Sequence, residues 1–179
     1  MFSGLSALVI EEVADISGVI VVRARTRDVP VACPGCGTET ARVHGYHDRT
    51  AADVPVDGRR VQVRVRARRL RCAVPGCPRQ TFREQVPGVL DRYQRRTTRL
   101  TGQVSAVARE LAGRASARLL PALGIAVSRH VMLRVLLKIP LPALAVPRVL
   151  GTGDVAPRRG SVNATVLIDA ETGRRTDVV

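Results

Sequence analysis

The stretch Arg59-Arg-Val-Gln-Val-Arg-Val-Arg-Ala-Arg-Arg-Leu-Arg-Cys72-Ala-Val-Pro-Gly-Cys77 decides how this chain is put together. Its first part alternates. Val61, Val63 and Val65 fall on one side of an extended chain, and Gln62, Arg64, Arg66 and Arg68 on the other. Successive strand residues point to opposite faces, so residues 59–71 are predicted to form a strand with one apolar and one cationic face. Asp57-Gly58 before it is a turn signal. The strand runs directly into Cys72, and Cys77 follows within a Val-Pro-Gly turn.

Upstream lies the partner of that turn, Cys33-Pro-Gly-Cys36-Gly37. Cys33-x2-Cys36 and Cys72-x4-Cys77 are two short loops about one hairpin apart. Such loops let two sulfurs reach one ion from a single turn, and Zn²⁺ takes four thiolates in a tetrahedron. Gly35, Gly37 and Gly76 allow the loops to close tightly. Four unrelated free thiols are the competing explanation, and two paired spacings with internal glycines disfavour it. His44 and His47 could serve as ligands, but the set is complete without them. With all four positions filled by protein, the zinc has a structural role and no open coordination site.

Composition agrees with a small, metal-assisted fold. The chain has 179 residues, of which 45% are apolar but only 2% aromatic, so any core is built from Ala, Val and Leu. No apolar run reaches the roughly 18–20 residues that span a bilayer. The N-terminus carries Glu11 and Glu12 where a signal peptide would be basic and then apolar. A cytoplasmic, nucleoid-associated location is expected, where cysteines are metal ligands or free thiols before they are disulfides.

Charge is uneven. The formal net charge is +14, from 29 basic and 15 acidic residues. The excess is concentrated in residues 42–150, while the first 41 residues are slightly acidic and the last 29 are balanced. A GC-rich genome explains arginine in place of lysine but not the excess over acids. A polyanion is the expected partner, with double-stranded DNA first.

From about residue 94 the apolar period changes from two to about 3.6. Leu100, Val104, Val107, Ala108 and Leu111 make one helical stripe, with Thr97 or Thr98 as cap and Gly113 as stop. A short helix is predicted over 115–123, closed by Gly124, although Pro121 disfavours regularity there. A third helix starts at Ser128, with Met132, Val135, Leu136 and Ile139 facing inward and Pro140 ending it. His130, Arg134 and Lys138 lie on its outer side at i, i+4 and i+8, with Arg129 in its first turn. The last two helices fit a helix-turn-helix, or equally a plain helical hairpin with a solvated basic face.

The N-terminal residues 17–27 are expected as another strand, and 148–155 and 163–169 as two more before a turn at Glu171-Thr172-Gly173. The domain reading is therefore an N-terminal strand and zinc ribbon over 1–90, a helical segment over 91–140, a linker over 141–148 and a final β element over 149–179. The fold class is α+β.

Taken in order, the motifs resemble the N-terminal half of the ISL-three family of bacterial insertion-sequence transposases. They are Cys-Pro-Gly-Cys-Gly, His44, Asp53-Val-Pro-Val-Asp-Gly58, Arg69-Leu-Arg-Cys72, Phe82-Arg-Glu84 and Arg96-Thr-Thr-Arg-Leu100, then Ser128 to Leu136 and Ala164-Thr-Val-Leu-Ile-Asp-Ala-Glu-Thr-Gly-Arg-Arg175. The resemblance covers nearly the whole chain beyond about residue 30. It implies a zinc ribbon with Cys33, Cys36, Cys72 and Cys77 as ligands. It further implies a helix-turn-helix that recognises terminal inverted repeats, and a ribonuclease-H-like domain using Asp, Asp, Glu and Mg²⁺.

The catalytic part is not matched residue by residue. The expected first Asp falls at Gly153, with Asp154 one place later, and on a strand that shift turns the carboxylate to the opposite face. Asp154 is thus only a weak candidate, and Asp169 and Asp177 flank a hairpin turn. The later carboxylates needed for two-metal chemistry are absent from this sequence, so Mg²⁺ is expected only with a complete catalytic domain downstream. The reading is a DNA-binding transposase fragment without strand-transfer activity. Arg64, Arg66, Arg68, Arg69 and Arg71 would lie along phosphates, and Ser128, Arg129, His130, Arg134 and Lys138 would serve the major groove. A homodimer or a contact with a full-length transposase is compatible with this. A freestanding zinc-ribbon and helix-turn-helix regulator predicts the same residues with a different target. A competent transposase would need a reading frame past Val179. A module for structured RNA is the third rival, though scarce aromatics disfavour single-strand stacking.

Overall fold

The computed structural model describes residues 2–140, 146–156 and 163–178. Two compact units are present, Met1–Ile139 and Pro140–Val179.

In the first unit, β1 (Leu8–Ile16), β2 (Val19–Thr26), β5 (Val43–Val56), β6 (Arg59–Arg71) and β7 (Thr81–Arg83) make a five-stranded sheet in which β6 is central. β5 lies along one side of β6 and runs antiparallel to it. On the other side, β2 pairs in parallel with Val61 to Arg66, and β7 takes over at Arg69 to Arg71. The predicted strand over 59–71 is present with those limits. β1 was not foreseen; Glu11 and Glu12 interrupt its apolar pattern, and only pairing with β2 makes it a strand. Both hairpins use two-residue turns with positive φ, Ser17-Gly18 (φ 53° and 78°) and Asp57-Gly58 (φ 53° and 69°), whose twist matches that of the flanking strands.

β5 carries two extra residues, near His44 and Val54, whereas β6 has none. The register of β6 is therefore regular, and the face it buries can be followed residue by residue. Val61, Val63, Val65 and Ala67 are buried, packed against Leu5, Leu8, Ile20, Val22, Ala24, Ala51, Val86, Val89 and Leu90. After Ala67 the opposite face becomes the buried one. Arg68, Leu70 and Cys72 are covered, and Leu70 joins Phe82 and three cysteines in a separate small cluster.

β3 (Val31–Ala32) and β4 (Glu39–Thr40) form a short hairpin that carries the first cysteine pair. The helical part begins at Thr97. Its hydroxyl accepts from the Leu100 N–H at 3.3 Å, and α1 spans Thr98–Leu119. Leu100, Val104 and Ala108 are buried as the periodicity requires, but Leu111 is 40% exposed. The helix breaks one residue before the expected glycine, at Ala112 (φ 53°, ψ −162°), and Gly113 instead packs closely on Leu133. A 3-10 turn, Leu120–Leu123, accommodates Pro121 and ends at Gly124. α2 (Arg129–Leu136) starts on Ser128, whose hydroxyl accepts from the Val131 N–H at 3.4 Å. Met132 and Val135 face inward; Lys138 lies beyond the helix end, not one turn further along it.

The sheet and the helices are tied together. The Ala52 N–H donates to Arg95 O and the Thr97 N–H to Ala52 O, both at 2.9 Å. Gly124 sits so close to the β5–β6 turn that a Cβ there would lie 2.7 Å from Gly58 O.

The second unit is a three-stranded antiparallel sheet of β8 (Leu150–Val155), β9 (Ala164–Asp169) and β10 (Arg175–Val178), in the order β10-β9-β8. The expected hairpin gains a third strand because residues after Gly173 (φ 70°) turn back to pair with β9. Of the expected linker 141–148, residues 141–145 lie outside the described residues.

Candidate metal centre and nucleic-acid interface

Two hairpin ends meet at the cysteines. Cys33 and Cys36 come from the β3–β4 turn, and Cys72 and Cys77 from the turn between β6 and β7. The four Sγ atoms all lie within 4.8 Å of one another, with Cys33 to Cys77 at 3.9 Å and Cys36 to Cys72 at 3.5 Å. A Zn–S bond of about 2.3 Å in a tetrahedron sets neighbouring sulfurs about 3.8 Å apart, so this spacing suits one Zn²⁺. All four are free cysteines.

The loops are shaped for this. The Gly35 N–H approaches Cys33 Sγ and the Val74 N–H approaches Cys72 Sγ, each at 3.5 Å. Backbone donors of this kind stabilise thiolates. Gly37 and Gly76 have φ of 75° and 77°, which a β-carbon would disfavour. At Gly35 the need is space, since a Cβ would press on Arg79 at 3.2 Å.

Hydrogen bonds from the Thr38 backbone and side chain lower the Cys36 thiol to about 6. The Val74 N–H acts to lower Cys72, but burial and its thiol neighbours outweigh it and push Cys72 up to about 12. Four crowded thiols resist ionising together; a divalent cation removes that conflict. The residues present thus fit a structural Zn²⁺ held entirely by protein.

The arginines of β6 do not form one cationic line. Arg64 and Arg66 are exposed on one face, Arg69 and Arg71 on the other. Arg64 donates to Gln62 Oε1, and Arg66 stacks on Tyr46 with its guanidinium carbon 4.3 Å from the ring centre. Arg68, expected among the phosphate contacts, is instead 2% exposed and unavailable for them. Its Nε and Nη2 donate to both oxygens of Glu84, at 2.9 and 2.8 Å, and Nη2 also donates to Val29 O. Alternation placed Arg68 with the exposed residues, whereas the ribbon covers that face of the strand beyond residue 67. The signal for the correction was available in Glu84, the one acid near an otherwise basic segment.

On α2, Arg129, His130 and Arg134 are exposed, as is Lys138 in the turn that follows. His44 is exposed at a bulge of β5 and His47 is half-buried beside Ala67; neither joins the sulfurs.

A second buried ion pair went unforeseen. Asp53 is 2% exposed, and its Oδ1 accepts from Thr97 Oγ1 at 2.6 Å and from Arg99 Nε at 2.7 Å, while Oδ2 accepts from Arg99 Nη2. Burial works to raise its pKa, but the bonds from Arg99, Thr97 and the Val54 N–H outweigh it and hold the carboxyl below its ordinary value of 3.8. Its position shared a strand face with Ala51, and a carboxylate in a buried register needs a cation.

In the second unit, β8 pairs with β9 without a bulge. Asp154 is exposed and accepts from Thr165 Oγ1 across the ladder at 3.0 Å. Asp169 accepts from the Glu171 and Thr172 N–H groups and the Thr172 hydroxyl, so it builds the turn.

Among the described residues, no helix is long and apolar enough to cross a membrane. No curated protein and no solved structure matches the chain. Residues 29–77 match the family described as the zinc-finger of transposase IS204/IS1001/IS1096/IS1165, a stretch that holds all four sulfurs and β6; this part of the chain is a zinc ribbon of the kind found in those transposases.

Proposed function

We propose that the Met1–Ile139 unit is the duplex-DNA-recognition part of a transposase of this type, directed at the terminal inverted repeats of an insertion sequence. The zinc ribbon matched to the transposase family carries this reading, and the net charge of +14 supports it. The part of α1 beyond the break at Ala112 and α2 act as a helix-turn-helix, with Arg129, His130 and Arg134 of α2 reaching base edges and phosphates. Zinc contributes shape, not chemistry. It locks the end of β6 so that Arg69 and Arg71 meet the backbone at a fixed angle.

The second unit is read as the beginning of a ribonuclease-H-like sheet. We assign Asp154 and Asp169 no catalytic step, because they are engaged within their own strands and turn. Strand transfer with Mg²⁺ would need further carboxylates converging on the ions.

A titration of duplex DNA against the protein tests this. With five to eight phosphates neutralised, log K is expected to fall with log salt at a slope of about −5 to −7. A slope near zero overturns the reading. Selection from random duplexes then identifies the target. Enrichment of an element's terminal repeats supports the transposase assignment, and enrichment of a promoter palindrome replaces it with a freestanding regulator.

A further inference from the structure

The five partly or fully buried arginines of the first unit differ in what holds them, and Arg25 is paired with Glu11 and Asp28. Arg68 has Glu84 and Arg99 has Asp53. Arg49 donates to the carbonyls of Leu90, Asp91 and Gln94 at 3.3, 2.7 and 3.5 Å. Arg96 has none of these: its Nε is fully buried and without a hydrogen-bond partner among the described residues. Burial alone lowers its guanidinium below the ordinary value, with no carboxylate opposing that. An arginine nitrogen withdrawn from water with no acceptor is costly, and native structures rarely leave one so without a water, an ion or a functional role that accounts for it.

Arg96 borders a cleft of about 370 Å³. Its walls combine Val61, Leu100 and Ile125 with Arg60 and Arg95, so three arginines line one opening. The one acid in the wall, Asp53, is already neutralised by Arg99. The frame is rigid on two sides. Arg49 fastens the 90–94 backbone, and the segment continues into the Ala52–Arg95 and Thr97–Ala52 hydrogen bonds. Opposite, Gly124 is pressed on Gly58. At the tip of this segment Tyr93 takes φ 62° and is 80% exposed, with Arg92 stacked on its ring. Non-glycine residues held in left-handed backbone cluster at active sites and ligand clamps.

We propose that this cleft is a phosphate-binding site in which Arg96, flanked by Arg60 and Arg95, receives one phosphodiester of the bound duplex at the junction of sheet and helices. The site rests on the DNA-binding reading above and adds a contact separate from those of α2 and of Arg69 and Arg71. Arginine suits it because its planar fork matches phosphate oxygens in two directions.

The test compares Arg60→Ala and Arg96→Gln with Arg134→Ala in the full chain, using duplex DNA over a salt series. Thermal unfolding and zinc content are measured alongside. Arg60→Ala removes an exposed side chain and keeps the fold in place. The expected result is severalfold weaker binding for each cleft variant, with the salt slope reduced by about 1. In parallel, inorganic phosphate is titrated while the Arg96 Nε–H resonance is followed, and that signal is expected to shift. Normal DNA affinity and slope in both cleft variants, with Arg134→Ala impaired, overturns the cleft and leaves the DNA reading intact. A wild-type protein with no affinity for duplex overturns both. A phosphate shift at Arg96 together with unchanged duplex binding in Arg96→Gln assigns the cleft to a free phosphate anion and overturns the duplex contact.

Discussion

The two ends of β6 are held by different physics. From Val61 to Ala67 the strand is secured by apolar burial on one face, in a cluster that draws on β1, β2, β5 and the 86–90 segment. From Leu70 onward it is secured on the other face by Phe82 and four thiols. The first region owes its stability to area removed from water. The second has too little apolar side chain for that, and the metal substitutes for a core. A single regular strand thus joins a self-sufficient sheet to a ribbon that depends on an ion, and the reversal of its buried face marks the boundary.

The largest expected effect divides those regions. Cys72→Ser leaves three ligands and should release zinc and melt the ribbon, while β2 and the first half of β6 stay folded. Amide exchange checks this: residues 61–66 should keep their protection and 69–71 should lose it. Equal loss at both ends would show that the two regions are one cooperative unit, and retained zinc would refute the ligand set.

Next is the residue pair at the boundary. Glu84→Gln leaves the Arg68 guanidinium, only 3% exposed, facing a neutral amide. Removing one partner of a buried ion pair costs about 3–5 kcal/mol. Chemical denaturation should show that loss with zinc content unchanged. A loss below 1 kcal/mol would mean that the junction contributes little to either region.

The smallest effect is at the far end of the sheet, where Asp53 anchors the start of α1. Its folded pKa lies below the ordinary 3.8, so its contribution is present above that value and lost as pH falls through the lower folded one. Unfolding measured from neutral to acid pH should give Asp53→Asn a lower stability near neutrality and a shallower acid decline than wild type. Parallel curves would remove Asp53 from the account. Comparing the two proteins at each pH separates this from acid release of zinc, which both share.

Several features were legible in the residue order. Alternation located β6 with its limits, cysteine spacing identified the metal centre, and Ser128 and the Thr97-Thr98 pair marked two helix starts. Local chemistry fixes these: side-chain period, ligand reach and capping each act over a few residues. Other features were not legible. Leu111 fits the apolar stripe of α1, yet Ala112 breaks the helix beneath it; Arg68 fits the exposed register, yet lies buried on Glu84. β1 became a strand only because β2 pairs with it.

The sequence by itself determined where strands, caps and sulfurs fall, since those depend on neighbours along the chain. Only the tertiary structure decided which arginines remain available to a polyanion. Whether a guanidinium faces water, a carboxylate or an empty cleft depends on the residues that folding brings beside it, often tens of positions away.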